Sequence, residues 1–115
     1  MKSIFILAFT LLTGLQLKLK ATVPVDGHQA YSIKLAASDL KKGSVKFLIR
    51  GGIVSTHVKG QEIFEEKYGI KYYDFGCVMP SNISIEDYNK VVASYMDRKY
   101  GKGWRQSVRQ DVQGI

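Results

Sequence analysis

The alternation of apolar and polar residues predicts the secondary structure along most of this chain. Two runs rich in β-branched residues, 45–49 and 53–58, are separated by Arg50 and by Gly51-Gly52. The central residues of a tight hairpin turn need a positive φ, which glycine adopts without steric cost. This spacing favours a hairpin, and the alternative is that the first run lies parallel to a later strand.

The next part of the chain predicts a helix followed by a strand. Apolar residues at three- and four-residue spacing, with acids in the first turns, indicate a helix over residues 61–68 that ends at Gly69. Residues 70–78 have apolar side chains on both faces, which is typical of a central strand covered by helices. A strand, a helix and a strand joined by short loops form a parallel pair with a right-handed crossover.

Two helices are predicted after that strand. Ser84 followed by Asp87 is typical of a capped helix start, and Gly101 and Gly103 interrupt the apolar pattern further on. The inward positions expected in the first helix are Ile85, Tyr88, Val92, Tyr95 and Met96, and those in the second are Trp104, Val108 and Val112. The order β-β-α-β-α-α describes a small single α+β domain over residues 45–115. Its short sheet contains a parallel strand pair packed by the C-terminal helices.

The first 21 residues have the layout of a secretory signal peptide. Lys2 precedes an apolar run over residues 4–17, and Ala21 provides a small residue at the cleavage point. The run is shorter than the roughly twenty apolar residues that span a bilayer, so we expect a cleaved leader and no stable membrane span after its removal. Two lysines beside the cleavage point keep an uncleaved anchor as the alternative. The predicted location is the periplasm or the cell exterior.

Removing the leader changes the charge of the 115-residue chain. The leader holds three of the 17 lysines and arginines and no acid, so the net charge falls from +7 to +4. Solubility explains such a mildly basic balance as well as an anionic partner does. The leader and the small net charge both argue against nucleic acid as the partner. Residues 22–44 predict a linker followed by a poorly determined strand or short helix.

Candidate chemistry collects at the carboxyl end of the 70–78 strand, where open sheets bind ligands. Cys77 is expected to be buried in its apolar stretch; a reactive thiol and an intermolecular bridge are the alternatives. A catalytic pair with His57 requires the imidazole within hydrogen-bond reach of the sulfur. Asp74 is expected to pair with Arg50 or with a C-terminal arginine. Neither metal-ligand spacing nor a cofactor motif is present, so no metal and no cofactor are predicted.

The basic residues near the C-terminus are the candidate positions for binding a partner or an anion. Lys102, Arg105 and Arg109 follow Arg98 at steps of four, three and four, which places them on one helical face if the helix continues through the glycines. Alternatively, residues 101–103 present backbone N–H groups to an anion at the start of a new helix, with Arg105 nearby. The third interpretation is a turn followed by an ordinary solvated face.

Three motifs also carry a resemblance: Phe-Glu-Glu-Lys-Tyr at 64–68, Asp-Phe-Gly-Cys at 74–77, and Trp-Arg-x-x-Val-Arg-x-Asp-Val at 104–112. Together they resemble a family of short, uncharacterised exported bacterial proteins, over residues 45–115. The resemblance implies an exported small domain and no assigned chemistry. We expect a small exported binding or interaction module whose partner is an anionic envelope component or another protein. The alternative is a small hydrolase that uses the Asp74 to Cys77 strand edge.

Overall fold

The structure is a computed structural model that describes residues 26–52 and 57–115. In chain order its elements are α1 (Gly27–Lys41), β1 (Lys46–Ile49), α2 (Gln61–Tyr68), β2 (Lys71–Asp74) and α3 (Ile85–Tyr100), followed by a short 3-10 helix at Gly103–Gln106. The predicted α+β class is confirmed. The predicted leader lies outside the described residues, as does most of the second strand of the predicted hairpin.

Within the described residues the sheet consists of two parallel strands, so the run at 45–49 lies parallel to the later strand, which was the alternative to the favoured hairpin. Lys46 lies opposite Lys71, and Ile49 lies opposite Asp74. The last three residues of β1 are buried, whereas Lys71 and Tyr73 in β2 are exposed. The prediction that this second strand is covered on both faces was therefore wrong. Its tyrosines point to opposite faces: Tyr72 is partly buried, whereas Tyr73 is half-exposed beside the buried Leu48 of β1.

Local signals in the sequence placed α2 and α3 correctly. Gly69 ends α2 in the left-handed conformation, with φ 61°. Ser84 caps α3: its hydroxyl accepts a hydrogen bond from the Asp87 N–H at 3.3 Å and donates one to the Asp87 carboxylate at 2.6 Å. The buried side chains of α3 include Ile85, Tyr88, Val92 and Met96, and Tyr95 is partly buried.

The structure differs from the predicted linker at residues 22–44, because α1 occupies most of that segment and packs against α3. Asp26 caps its first turn by accepting a hydrogen bond from the His28 N–H at 2.7 Å. Ser32 and Ala36 are fully buried, and the Ser32 hydroxyl accepts a hydrogen bond from the Ser84 N–H at 2.7 Å. The folded domain therefore includes α1 and does not begin at residue 45.

The predicted final helix is also absent. Gly101, with φ 75°, ends α3, and after the 3-10 helix the chain runs through turns. Trp104 is nevertheless buried as expected, and its ring stacks on Phe47 with 5.6 Å between centroids. Val112 is buried as well. The four-residue spacing of Trp104, Val108 and Val112 therefore belongs to a segment that packs over the core without forming an α-helix.

The core lies between the sheet and the segments that cover it. Its aromatic part consists of stacked rings from Phe47, Phe64, Tyr72 and Trp104, with centroids 5.5 to 6.5 Å apart. Among the helices of residues 26–52 and 57–115, none is long and apolar enough to cross a membrane.

Candidate interaction surfaces

The carboxyl end of β2 is packed against the segment that follows β1. Asp74 Oδ1 accepts a hydrogen bond from the Gly76 N–H at 2.7 Å. A Cβ placed on Gly51 would clash with the same oxygen, so only glycine fits there. Arg50, one of the expected partners of Asp74, has its Nη2 3.9 Å from Glu86 Oε1. These contacts give Asp74 a role in the scaffold.

The structure does not bring the proposed thiol pair together. Cys77 is exposed, so the expectation that it is buried was wrong. The reason is that β2 ends at Asp74 and Gly76, with φ 68°, turns the chain away from the core. His57 Nε2 lies 2.9 Å from Glu62 Oε1, at the start of α2. In the described part of the chain no hydrogen bond joins His57 to Cys77, and a base without that contact does not activate the sulfur.

Arg105 is engaged by Asp97 within the molecule. Its Nε and Nη2 donate to the Asp97 carboxylate at 3.1 and 2.9 Å, and Trp104 Nε1 donates to the same group at 3.0 Å. The guanidinium also lies 4.8 Å from the centre of the Trp104 ring. Hydrogen bonding from Arg105 lowers the pKa of Asp97. Arg105 therefore holds the turn after α3 in place and does not offer a free charge to a partner.

Arg109 is built into the scaffold more deeply, with 8% of its surface exposed. Nε and Nη2 donate to Asp111 at 2.9 and 2.6 Å, and Nη1 donates to Gln61 Oε1 at 2.8 Å. The guanidinium lies 5.3 Å from the centre of the Tyr72 ring, and the Arg109 N–H donates to the Tyr72 hydroxyl at 3.2 Å. Burial raises the pKa of that phenol to about 12. These contacts contradict the assignment of Arg109 to a binding surface.

Lys102 is exposed and follows the end of α3. Because Gly101 ends that helix, the predicted continuous basic face from Arg98 to Arg109 does not form. The alternative anion-binding site at residues 101–103 does not form either. Only a four-residue 3-10 helix follows, and Arg105 pairs with Asp97. Lys102 is left as an accessible cation without either predicted arrangement around it.

A groove of about 260 Å³, called here the sheet groove, opens between α1 and the face of the sheet that carries Tyr73. Its lining residues are Leu35, Asp39, Lys46, Leu48, Tyr73, Phe75, Ile83 and Tyr88. The polar groups of this lining satisfy one another: Asp39 accepts a hydrogen bond from the Tyr88 hydroxyl at 2.6 Å and lies 3.3 Å from Lys46 Nζ. Burial, followed by the hydrogen bond to Asp39, raises the pKa of Tyr88.

The rim of the sheet groove is aromatic and accessible. Tyr73 is 50% exposed, and its ring meets Phe75 edge to face with 5.1 Å between centroids. Lys46 Nζ lies 5.9 Å from the centre of the Tyr73 ring. Sequence reasoning missed this site because it took the strand as covered on both faces. The signal that could have shown it is Lys71, whose side chain shares a face of the strand with Tyr73 and favours solvent on that face.

A wider groove, of about 790 Å³, lies at the amino ends of the two strands. Its acids are Glu62, Glu65 and Glu66. Glu65 accepts a hydrogen bond from the Tyr72 N–H at 2.9 Å, and Glu62 faces His57. Over residues 26–52 and 57–115, no three histidine, cysteine or acidic side chains are grouped so as to hold a metal ion.

Comparison of the chain with protein-family models, with curated proteins and with solved structures finds no match. The resemblance to a family of exported bacterial proteins therefore stays a prediction. In the structure, the motifs that carry it contribute to the core through buried Phe64, Trp104 and Arg109. Function is accordingly inferred from the geometry of the surfaces.

Proposed function

We propose that this protein is a protein-binding module that receives an apolar side chain of a partner polypeptide in the sheet groove. The observation that carries the proposal is the half-exposed Tyr73 ring beside an apolar groove on the partly covered face of the sheet. Tyrosine is enriched among the residues that supply most of the binding energy of protein interfaces. Its rigid ring provides a large contact area at a low cost in conformational entropy.

The size of the sheet groove supports a side chain as the occupant. Sites for whole small molecules enclose about 300–1,000 Å³, and this groove has about 260 Å³. The polar groups in it support the same conclusion, because Asp39, Lys46 and Tyr88 are paired among themselves. A polar small molecule would have to break those contacts, whereas an apolar side chain leaves them intact.

The hydrolase alternative has less support from the geometry. Asp74 is held by the backbone of Gly76, and His57 faces Glu62. Cys77 is exposed at the surface, and no hydrogen bond within the described residues joins it to His57. Nucleophilic catalysis needs a base within reach of the nucleophile and a third group that orients the base.

We propose further that the module acts outside the cytoplasm, on the evidence of the apolar run after Lys2. When the full chain is expressed in a bacterium with an intact secretion pathway, its mass should fall by roughly two kilodaltons, at about 110 daltons per residue. The cleaved form should be found in the periplasm or the medium. Intact chain with Met1, recovered in soluble form from the cytoplasm, would contradict export.

The test of protein binding compares two surface variants of the full chain. Tyr73→Glu places a charge on the rim of the sheet groove, and Ile63→Glu places the same charge on an exposed apolar residue of α2. Cross-linking in an envelope extract should identify a polypeptide that binds the wild type and Ile63→Glu. Titration of the purified partner should then show at least tenfold weaker binding by Tyr73→Glu, which corresponds to about 1.4 kcal/mol. Equal binding by Tyr73→Glu would refute the sheet groove as the site.

A further inference from the structure

A second surface, separate from the sheet groove, combines lysines with tyrosine rings. It is formed by the C-terminal ends of α2 and α3 and is called here the lysine–tyrosine surface. Its members are Lys67, Tyr68, Tyr95, Lys99 and Tyr100. The Tyr68 and Tyr100 rings meet edge to face with 5.1 Å between centroids, which joins the two helix ends into one continuous surface.

The two lysines of this surface are held by the tyrosines. Lys99 Nζ lies 5.6 Å from the centre of the Tyr95 ring and 5.3 Å from that of Tyr100, and it donates to the Tyr95 hydroxyl at 3.2 Å. Lys67 Nζ lies 5.4 Å from the centre of the Tyr68 ring. Hydrogen bonding to Tyr95, and to Tyr100, raises the pKa of Lys99. The ring contacts therefore restrict the positions of both ammonium groups.

The lysines of this surface are not paired with acids of the described residues. In the described part of the chain, neither Lys67 nor Lys99 lies in an ion pair, and neither do the neighbouring Arg98 and Lys102. Asp97 is the acid beside them in α3, and Arg105 already engages it. An anion that binds here meets several cations without having to displace an internal acid from Lys67 or Lys99.

We propose that the lysine–tyrosine surface binds an acidic polysaccharide. Lysines restrained by ring contacts lose less conformational entropy on binding than free ones do, which favours recognition of a carboxylate-bearing chain. Partly exposed tyrosine rings offer apolar contact to sugar rings. Of the three tyrosines in this surface, Tyr100 is the one that belongs to the exposed large apolar side chains of the described residues. The surface therefore offers little apolar area that could enter a lipid layer. This choice of polymer rests on the proposed export, whereas it is independent of the sheet groove.

The test uses a polyuronate as the probe and a neutral glucan as its control, with the full chain. The variant Lys67→Gln with Lys99→Gln removes both restrained charges. Its matched control is Lys34→Gln with Lys90→Gln, two exposed lysines on other parts of the surface, so the two proteins have the same net charge. Thermal melts confirm that both variants fold.

We expect the wild type to bind the polyuronate and not the glucan, with an affinity that falls steeply as salt is raised past about 0.1 M. The Lys67 and Lys99 variant should bind at least tenfold more weakly, and the control pair less than twofold more weakly. Tyr73→Glu should bind normally, which separates this surface from the proposed protein-binding site. Equal losses in both lysine variants, no binding at low salt, or tighter binding to anionic lipid vesicles or to nucleic acid would each overturn the proposal.

Discussion

The side-chain amide of Asn89 pairs with both backbone polar groups of Leu48. Asn89 Oδ1 accepts from the Leu48 N–H at 2.8 Å, and Nδ2 donates to the Leu48 carbonyl at 3.0 Å. Nδ2 also donates to the Gln113 carbonyl at 2.9 Å, which ties the C-terminal segment to the same point. Asn89 thus takes the place of a third strand at the outer edge of β1. On β2, Glu65 accepts from the outward Tyr72 N–H. These contacts explain how a sheet of two strands, marginal by itself, persists within the domain.

Replacing Asn89 should therefore destabilise the whole domain. In Asn89→Leu, the buried polar groups of Leu48 lose their partner without a replacement, and each such group costs about 1–3 kcal/mol. We expect the free energy of unfolding in urea to fall by about 2–4 kcal/mol. The control Asn82→Leu, at an exposed position, should change it by less than about 0.5 kcal/mol. Similar effects of both substitutions would contradict the role assigned to Asn89.

The two adjacent glycines after β1 should differ sharply in their tolerance of a methyl group. In Gly51→Ala the new Cβ would clash with Asp74 Oδ1, whereas a Cβ on Gly52 meets nothing within 4 Å. We expect Gly51→Ala to lower the free energy of unfolding by about 1–3 kcal/mol, as overpacking does. Gly52→Ala should leave it within about 0.5 kcal/mol of the wild type. Equal stabilities in a urea titration would show that Gly51 and Asp74 do not touch.

The C-terminal arginines should differ in how much stability is lost when each is replaced, and the loss should be larger for the more buried side chain. Arg109→Gln removes charge-assisted hydrogen bonds from an almost fully buried guanidinium, and we expect a loss of about 2–4 kcal/mol of stability. Arg105→Gln should cost less, because its ion pair is more exposed to solvent. Arg98→Gln, at an exposed position that makes no ion pair with the described residues, serves as the control and should melt like the wild type. A melt in which Arg98→Gln and Arg109→Gln coincide would place Arg109 at the surface.

The pair of Arg105 and Asp97 should make stability depend on pH in the acid range. Arg105 lowers the pKa of Asp97 in the folded protein. Such a carboxylate stabilises the fold above the unfolded pKa of about 3.9, and this contribution disappears as the pH falls through the lower folded value. Asp97→Asn should therefore melt below the wild type at about pH 6, and the difference should shrink toward about pH 2. A difference that stays constant across that range would contradict the assignment.

Exposure of Cys77 predicts fast chemistry in the native state. A thiol reagent should label the folded protein at nearly the rate measured in denaturant, because the sulfur is accessible in both states. Cys77→Ser should change the free energy of unfolding by less than about 0.5 kcal/mol. Slow labelling of the native protein that accelerates on unfolding would show that Cys77 is buried, as the sequence predicted.

The sequence determined those features that depend on interactions within a few residues. Gly69 ends α2 because glycine adopts the left-handed conformation there, and Ser84 begins α3 because its side chain satisfies the free N–H of Asp87. A parallel strand pair followed from a helix between two strands, although the sequence had favoured a hairpin for the run that forms β1. The burial of Trp104 followed from its place in an apolar series. Each of these signals is complete within one or two turns of the chain.

Tertiary structure decided what depends on partners far away in the chain. The buried face of α1 consists of Ser32 and Ala36, whose small side chains give no strong apolar pattern, so its role appears only from its packing on α3. Arg109 has the spacing of a solvated residue, but the fold brings it to Gln61, 48 positions earlier. Tyr73 is left uncovered because α1 packs on α3 and leaves a groove against the sheet. Burial of a side chain is set by which surfaces meet in three dimensions, and local spacing does not contain that information.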